Sequence, residues 1–561
     1  MKTASSKSSA SASNFILPSQ SAFEYHLVKM LIEDMQPLAT VERRGFKRFC
    51  SLFLPRYSLP SRRKATRRLH ELYEEEKAKL IDSLVKVRWV SATADIWSAH
   101  RRAYMGVTLH YVDPDTLTMV SSTLACRRFK GAHTGEQIAK CLASIFKEFK
   151  IESKLQNVVT DNAANFAKAF TLYQQTDRED IDESDSVNVL NVSESLDTVE
   201  SVLHDDDSDS DGDRLSLPPH KRCGNHSLNL VASADALKAR DDKPFQRSYD
   251  RVMAKIQSLW NAVSRSPKQS DIVEEFSSKC FIQPTCTRWC SEYYAVERII
   301  DIGFASVVNC QEALGLVPMT EADMKFLNAF LQIMKPLVTA MKILEGETEC
   351  YIGLVIPTIM GVQKRLQSNV EPLMKPLTKA LIDGLAARFG KVMRSDDYRM
   401  ASVLHPKFKL AFLSDDEKMR YKQLLVSYVD NIRREVHVAQ TSPAVSTPSQ
   451  MMPRDSDDDD LYSFLNKPQT SVSTDVAQQV DGFLASTLPA IGSLHAFPLV
   501  AQAFQKSNST LPSSAAVERL FSAASQILSN RRCRMSDETF DQLLFLRSRL
   551  SLDGDSVFTD E

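Results

Sequence analysis

A chain of 561 residues is several times a typical domain, and its 43% hydrophobic and 25% charged composition fits two to four soluble folded units with unfolded stretches between them. No apolar stretch reaches membrane-span length, and the Ser- and Ala-rich opening from Met1 to Gln20 has no apolar signal core, so the chain is expected to stay inside the cell, off membranes, with its ten cysteines as reduced thiols. The net charge of −2 conceals strong segregation of the two signs along the chain.

Residues 1–20 read as disordered. The next segment, 21–84, carries Arg43, Arg44, Lys47, Arg48, Arg56, Arg62, Arg63, Lys64, Arg67 and Arg68, with only Glu42 read as opposing them and Phe46, Phe49, Phe53 and Leu54 interleaved. It predicts short helices forming a basic module that suits a phosphate backbone, the alternative being a solvated helical face. A strand is expected over Val85–Trp97 and a second over Tyr104–Val112, where Met105, Val107, Leu109 and Tyr111 alternate. The Asp113-Pro114-Asp115 turn leads to a third strand through Met119 and Leu124. Thr134 and Gln137 fit a capping box, opening a helix with Ile138, Cys141, Leu142, Ile145, Phe146 and Phe149 on one stripe. Leu155–Thr160 reads as a short strand ending at Asp161, with a helix over Ala163–Tyr173. Three strands, a helix, a strand and a helix is the RNase H-like order, one candidate among several on pattern alone. An acidic loop over 175–219, including Asp205-Asp206-Asp207-Ser208-Asp209, is expected to be disordered. Residues 233–440 carry helical periodicity almost throughout, 441–480 form a second acidic linker, and 481–551 return to strong helical periodicity before a tail at 552–561.

The chemistry rests first on two carboxylates. Asp95 lies in Thr93-Ala94-Asp95-Ile96-Trp97, and Asp161 ends a strand in Val158-Val159-Thr160-Asp161-Asn162. Carboxylates on neighbouring strands can share divalent ions that activate an attacking oxygen and stabilise a leaving one in phosphoryl transfer, and Mg²⁺ suits a few carboxylates plus water and phosphate oxygens. An Asp-Asn pair is also a common turn, so spacing alone leaves both readings open.

The run Ser513-Ser514-Ala515-Ala516-Val517-Glu518-Arg519-Leu520-Phe521-Ser522 closely resembles the signature of the C-terminal region of hAT-family DNA transposases, continued by Asn530-Arg531-Arg532 and Leu543-Leu544-Phe545-Leu546. Upstream, Thr93–Trp97 and Thr160–Asn165 resemble that family's first and second carboxylate motifs, Cys223-Gly224-Asn225-His226 its Cys-x-x-His, Arg288-Trp289 its Arg-Trp pair, and Leu404–Lys409 another recurrent block. The match runs in the family's order from about residue 30 to 550, and several blocks look closest to the BED-finger hAT proteins of animals.

The resemblance implies an α/β RNase H-like core (85–232), interrupted by a large all-helical insertion (233–440) and completed by a helical dimerisation region (481–551), with 21–84 as a helical DNA-binding module. It maps the catalytic, metal-holding acids onto Asp95, Asp161 and Glu518, with Mg²⁺ or Mn²⁺ as cofactor. It places His226 beside that site and Arg288 and Trp289 on distorted DNA, where an indole can stack on an unpaired base and an arginine can hold phosphate. Arg62, Arg63, Lys64, Arg67 and Arg68 are candidate phosphate contacts and a candidate nuclear-import run. A zinc site joining Cys223 and His226 to Cys286 and Cys290 is the weaker alternative, since structural zinc favours two tight pairs, and no structural zinc is expected. The resemblance also implies a homodimer or higher homo-oligomer, with Leu543, Leu544, Leu546 and Leu550 contributing to the interface. Two departures stand out: residues 1–85 hold no Cys-x-x-Cys with a following His pair, as a BED finger needs, and Leu488–Val500 lacks the family's usual tryptophan. The expected function is a nuclear, DNA-binding, transposase-like protein with a metal-dependent strand-transfer site. The competing expectations are a catalytically inactive descendant regulating DNA or chromatin, and a helical interaction protein with no DNA role.

Overall fold

The computed structural model describes residues 18–161, 163–173, 215–285, 290–368, 371–441, 475–528 and 535–552. Both acidic runs, Arg288 with Trp289, and Asn530-Arg531-Arg532 lie outside the described residues.

The N-terminal segment folds as α1 (Gln20–Glu33), α2 (Arg44–Phe53) and α3 (Arg62–Leu84). Ser19 and Ser61 cap α1 and α3, their hydroxyls accepting from the Ala22 and Lys64 amides at 3.1 and 3.2 Å. Leu27, Val28, Leu31 and Ile32 of α1 and Leu69, Leu72, Leu80 and Leu84 of α3 recur at helical spacing and are buried.

Three antiparallel strands follow, β1 (Val90–Ala99), β2 (Arg102–Val112) and β3 (Met119–Phe129). The β2–β3 turn closes on Asp113, whose carboxylate accepts from the Asp115 and Thr116 amides at 3.0 and 2.8 Å. α4 (Gly135–Glu148) starts at Thr134, which accepts from the Gln137 amide. β4 (Leu155–Thr160) then pairs parallel with β1, α5 (Ala164–Tyr173) follows, and β5 (His220–Arg222) pairs parallel with β4, giving the order β3-β2-β1-β4-β5. This mixed sheet follows the sequence expectation with two corrections. The first strand starts at Val90 because Val85 is 72% exposed and Lys86 also faces solvent. The expected loop over 175–219 is shorter at its C-terminal end: Leu217 is buried, and its amide donates to the Tyr173 carbonyl.

From residue 224 to 441 the regular elements are helices: α6 (Gly224–Leu230), α7 (Lys243–Arg265), α8 (Pro267–Phe276), α9 (Ser291–Ile302), α10 (Phe304–Ala313), α11 (Glu321–Leu344), α12 (Val355–Gln367), α13 (Lys375–Arg394), α14 (Asp396–Val403) and α15 (Asp415–Thr441). Their largest core joins α7, α9, α11, α12 and α13 through Ile256, Trp260, Ile299, Leu337, Ile359 and Leu381. The expected acidic linker over 441–480 gives way to helix before its end, because α16 (Val476–Ala485) buries Val476 and Val480.

The last described helices return to the sheet: α17 (Pro498–Asn508), α18 (Ala515–Ile527) and α19 (Asp537–Leu552). α18 covers one sheet face, where Val517, Leu520, Phe521 and Ala524 meet Tyr104 and Cys126. The other face carries Ala92, Ala94, Met105, Val107 and Leu109 into a core shared with α3, α4 and α5. α19 runs along edge strand β3, whose Cys126 and Thr123 amides donate to Asp541 at 2.6 Å and Ser548 at 3.3 Å. A helix thus satisfies backbone groups that an open edge would offer to other strands. Arg127 joins this seam, pairing with Glu148 and, at 3.5 Å, with Asp541.

This packing corrects the expected interface. Leu543, Leu544, Leu546 and Leu550 are 5%, 2%, 0% and 2% exposed, enclosed by the chain's own sheet and N-terminal helices. The apolar stripe of α19 is wide because the helix packs on two sides at once, against α3 and against β3.

Candidate functional site

β1 and β4 bring the two strand-borne acids abreast. Thr93 pairs with Val159 in the parallel register, so Asp95 and Asp161, each two residues further on, lie side by side on one sheet face. The Ile96 amide donates to Asp95 at 2.7 Å and the Ala163 amide to Asp161 at 3.0 Å, fixing one oxygen of each carboxylate.

The third acid arrives on α18, and Gly106 admits it. Gly106 is the β2 partner of Asp95. A Cβ built on it would sit 2.5 and 2.7 Å from ring carbons of Phe521 and 2.7 Å from Val517, the residues flanking Glu518 on the helix. Phe521 also stacks on Trp97 at 5.8 Å between ring centres. Gly106→Val is expected to lift α18 off the sheet, costing about 1–3 kcal/mol as overpacking. It should also lower any activity that depends on Glu518, since a displacement of about 1 Å can cost roughly a hundredfold. Thermal denaturation compared with turnover checks this, and a second-site Phe521→Leu change should recover part of the stability.

Cys223 fastens the same junction from below. Its amide donates to the Thr160 carbonyl at 2.8 Å, and its sulfur accepts from the His226 and Ser514 amides at 3.4 and 3.3 Å. Gly224 donates to the Pro512 carbonyl at 2.8 Å, and Ser513 to the Leu344 carbonyl at 2.7 Å. One thiol thereby ties the end of β4, the start of α6 and the N-terminus of α18 together. Burial raises its pKa, which keeps it a neutral acceptor. Of the cysteines considered for zinc, Cys290 contacts Met341 sulfur at 3.1 Å, and Cys286 lies outside the described residues.

The acids feel one another. Burial, then repulsion from Asp161, then, weaker, from Glu518, pushes Asp95 up to about 7 against a lowering hydrogen bond from Ile96. Burial, then Glu345 and Asp161, pushes Glu518 up to about 7 as well. His226 lies close enough to Asp161 to sense its charge, although burial dominates and lowers its pKa. Among the described residues, no group of three or more His, Cys, Asp or Glu side chains converges closely enough to enclose a metal ion. Carboxylate oxygens are the donor type that hard divalent cations take, and such a charge relieves mutual repulsion among them.

Sequence reasoning missed two parts of this neighbourhood. Glu345, at the end of α11, is a fourth acid there, its backbone carbonyl held by Arg519 at 3.1 Å. No local pattern marks it. A buried polar chain also runs down the face that bears Asp95, from Thr93 to Thr108, to His110 at 2.8 Å, to Ser121 at 2.8 Å. Ser91 on the same face bonds Thr510 at 2.8 Å. Its signal was available, since Ser91, Thr93 and Asp95 alternate as polar residues within an apolar strand. Burial holds His110 neutral, near 3.

The basic residues at the start of α3 divide into two sets. Lys64 pairs with Glu24 at 2.6 Å, and Arg68 with Glu71 at 2.9 Å and Glu75 at 3.4 Å, so Glu42 is not the sole acid opposing them. Arg62, Arg63 and Arg67 are exposed, Arg67 also lying 3.8 Å from Glu71, and line a cleft of about 520 Å³ against Glu538 and Gln542 of α19.

Comparison with known proteins gives two family matches: the ZBED1 RNase-like domain over residues 93–183 and the hAT family C-terminal dimerisation region over residues 493–550. Among similar proteins, the "Putative transcriptional regulator tpeD" of Talaromyces stipitatus is 23% identical over 95% of this chain and 62% of its own length. The "Putative AC transposase" of Zea mays is 28% identical over 47% of this chain and 29% of its own. The human "Zinc finger BED domain-containing protein 4" is 20% identical over 71% of this chain and 32% of its own. The chain therefore spans from about a third to under two thirds of the length of these relatives.

Proposed function

From a chain that carries the hAT C-terminal dimerisation region and the ZBED1 RNase-like domain, and whose relatives include hAT transposases and a BED zinc finger protein, we propose a nuclear, dimeric, transposase-like protein that cleaves and joins DNA. The observation carrying this reading is the juxtaposition of Asp95 and Asp161 on paired parallel strands, with Glu518 set over them on α18. These three residues would hold Mg²⁺ or Mn²⁺, which when bound stabilises charge developing on phosphate and leaving oxygens. The chain's own part is to fix the acids' spacing through Cys223 and Gly106, to present His226 beside Asp161, and to offer Arg62, Arg63 and Arg67 to a phosphate backbone. In this layout residues 21–84 are the DNA-binding module, 85–232 and 481–551 make up an RNase H-like core, and 233–440 form its helical insertion. Arg288 and Trp289 belong to the DNA contacts of the same scheme. A homodimer belongs to the proposal through the dimerisation region, on a surface other than the buried leucines of α19.

A second reading, a DNA-bound regulator without cleavage, is favoured by the open spacing of the acids and by the relative named as a transcriptional regulator across 95% of the chain. The deciding experiment incubates purified protein with supercoiled DNA and with element ends, with Mg²⁺, with Mn²⁺ and with chelator. Nicking that appears only with the cation supports the enzyme. DNA binding without nicking in any condition supports the regulator, and absence of DNA binding overturns both.

A further inference from the structure

A cavity of about 300 Å³ opens at the opposite end of β1, between the β2–β3 turn and α17. A strand rise of about 3.3 Å per residue puts it roughly 20 Å from Asp95, so it is separate from the acids. Beside apolar residues, its lining includes Trp89, Lys86, Arg88, His495, Gln502 and Gln505. Trp89 is half-buried and packs against the apolar core that holds Val112 and Leu117, and its ring has no aromatic or cationic partner among the described residues. Lys86 and Arg88 form no ion pair among the described residues, and Arg88 adds its charge to that of Lys154, which is held at 2.6 Å by the Leu84 carbonyl. The nearby acids are engaged elsewhere: Asp113 accepts the turn amides of Asp115 and Thr116, and Glu435 pairs with Lys506 at 2.8 Å.

These features have complementary needs. A half-buried indole with no aromatic partner has ring area left for a stacked base. Two uncompensated cations at the mouth take an anion. A nucleoside phosphate meets both, through its base face and its phosphate. We propose that this cavity binds the base and phosphate of a nucleotide, as an unpaired base of a nucleic-acid strand or as a free nucleotide. The volume lies at the small end of ligand pockets, fitting one base and not a duplex. The inference does not depend on cleavage or on a metal at Asp95.

The test measures binding of a labelled mixed-sequence single strand to the full chain, with dAMP as competitor. Trp89→Leu should weaken strand binding about tenfold, in keeping with loss of one base stack, whereas Trp89→Phe should retain most of it. Lys86→Gln combined with Arg88→Gln should weaken binding and flatten its salt dependence. Competition by dAMP identifies a free-nucleotide site; strand binding that dAMP does not displace identifies an unpaired base in a chain. Lys86 is exposed and Arg88 half-buried, and the pair Lys86→Gln with Arg88→Gln decides the matter even if Trp89→Leu fails to fold. Unchanged affinity in that pair, with circular dichroism intact, overturns the proposal. Strand binding is measured with chelator and no divalent cation, which separates failure here from failure of the cleavage site.

Discussion

Asp95→Asn, Asp161→Asn and Glu518→Gln should each reduce cation-dependent nicking by at least about a thousandfold, roughly 4 kcal/mol of transition-state stabilisation. The same changes should not weaken the fold, and this second half separates a functional acid from a structural one. Asp95 and Glu518 are pushed up to about 7 by burial and by neighbouring acids. A carboxylic acid whose folded pKa is raised binds its proton more tightly in the folded chain. Its ionisation therefore costs stability as pH rises from the ordinary carboxylate range towards 7. Asp95→Asn removes that cost, so the variant should gain melting temperature relative to wild type at pH 8 and lose the advantage by pH 4. Added Mg²⁺ should raise the wild-type melting temperature at pH 8 and leave Asp95→Asn little changed. A variant that is less stable than wild type at pH 8 and indifferent to metal would make Asp95 a structural residue and sink the metal-site reading.

Changing Leu543 and Leu546 together to Glu should unfold the α/β part of the chain rather than split a dimer. Both side chains lie inside the core shared by the sheet, α3 and α4. Losing each leucine's packing costs about 2–5 kcal/mol, and each new carboxylate must also shed water in apolar surroundings. Two such changes meet or exceed the roughly 5–15 kcal/mol that holds a typical domain. Circular dichroism should show lost helix and a lowered or absent melting transition, while the Leu543→Met and Leu546→Met pair, which keeps volume, should fold. A Glu variant of full helical content and halved mass in light scattering would return these leucines to an interface.

What the sequence disclosed and what it withheld divide along contact range. The sheet meander, the Thr134 cap and the end of β4 at Asp161 were readable because alternation, capping and turn chemistry are local. β5 was not, since three residues between an acidic run and a helix carry no periodicity. The role of Cys223 depends on Ser514, far away in sequence, and without that partner a Cys-x-x-His invites thoughts of metal. The α19 stripe was legible as apolar, but periodicity says only that a face is covered, not whether this chain or a second one covers it. Glu518 was placed by resemblance alone; Gly106, which makes room for its helix, looked like any glycine in a strand.

The clasp of α19 on β3 also sets a timetable. Cys126 and Thr123 are synthesised long before Asp541 and Ser548, which complete their hydrogen bonds. At a synthesis rate of about 5–20 residues per second, the strand meander must wait roughly 20–80 s for the helix that seals its edge. During that interval β3 presents an open ladder, and the sheet face destined for α18 is uncovered. A nascent chain in that state is a natural client for chaperones, and a transcript cut short before residue 537 leaves a product whose sheet edge has nothing to close it.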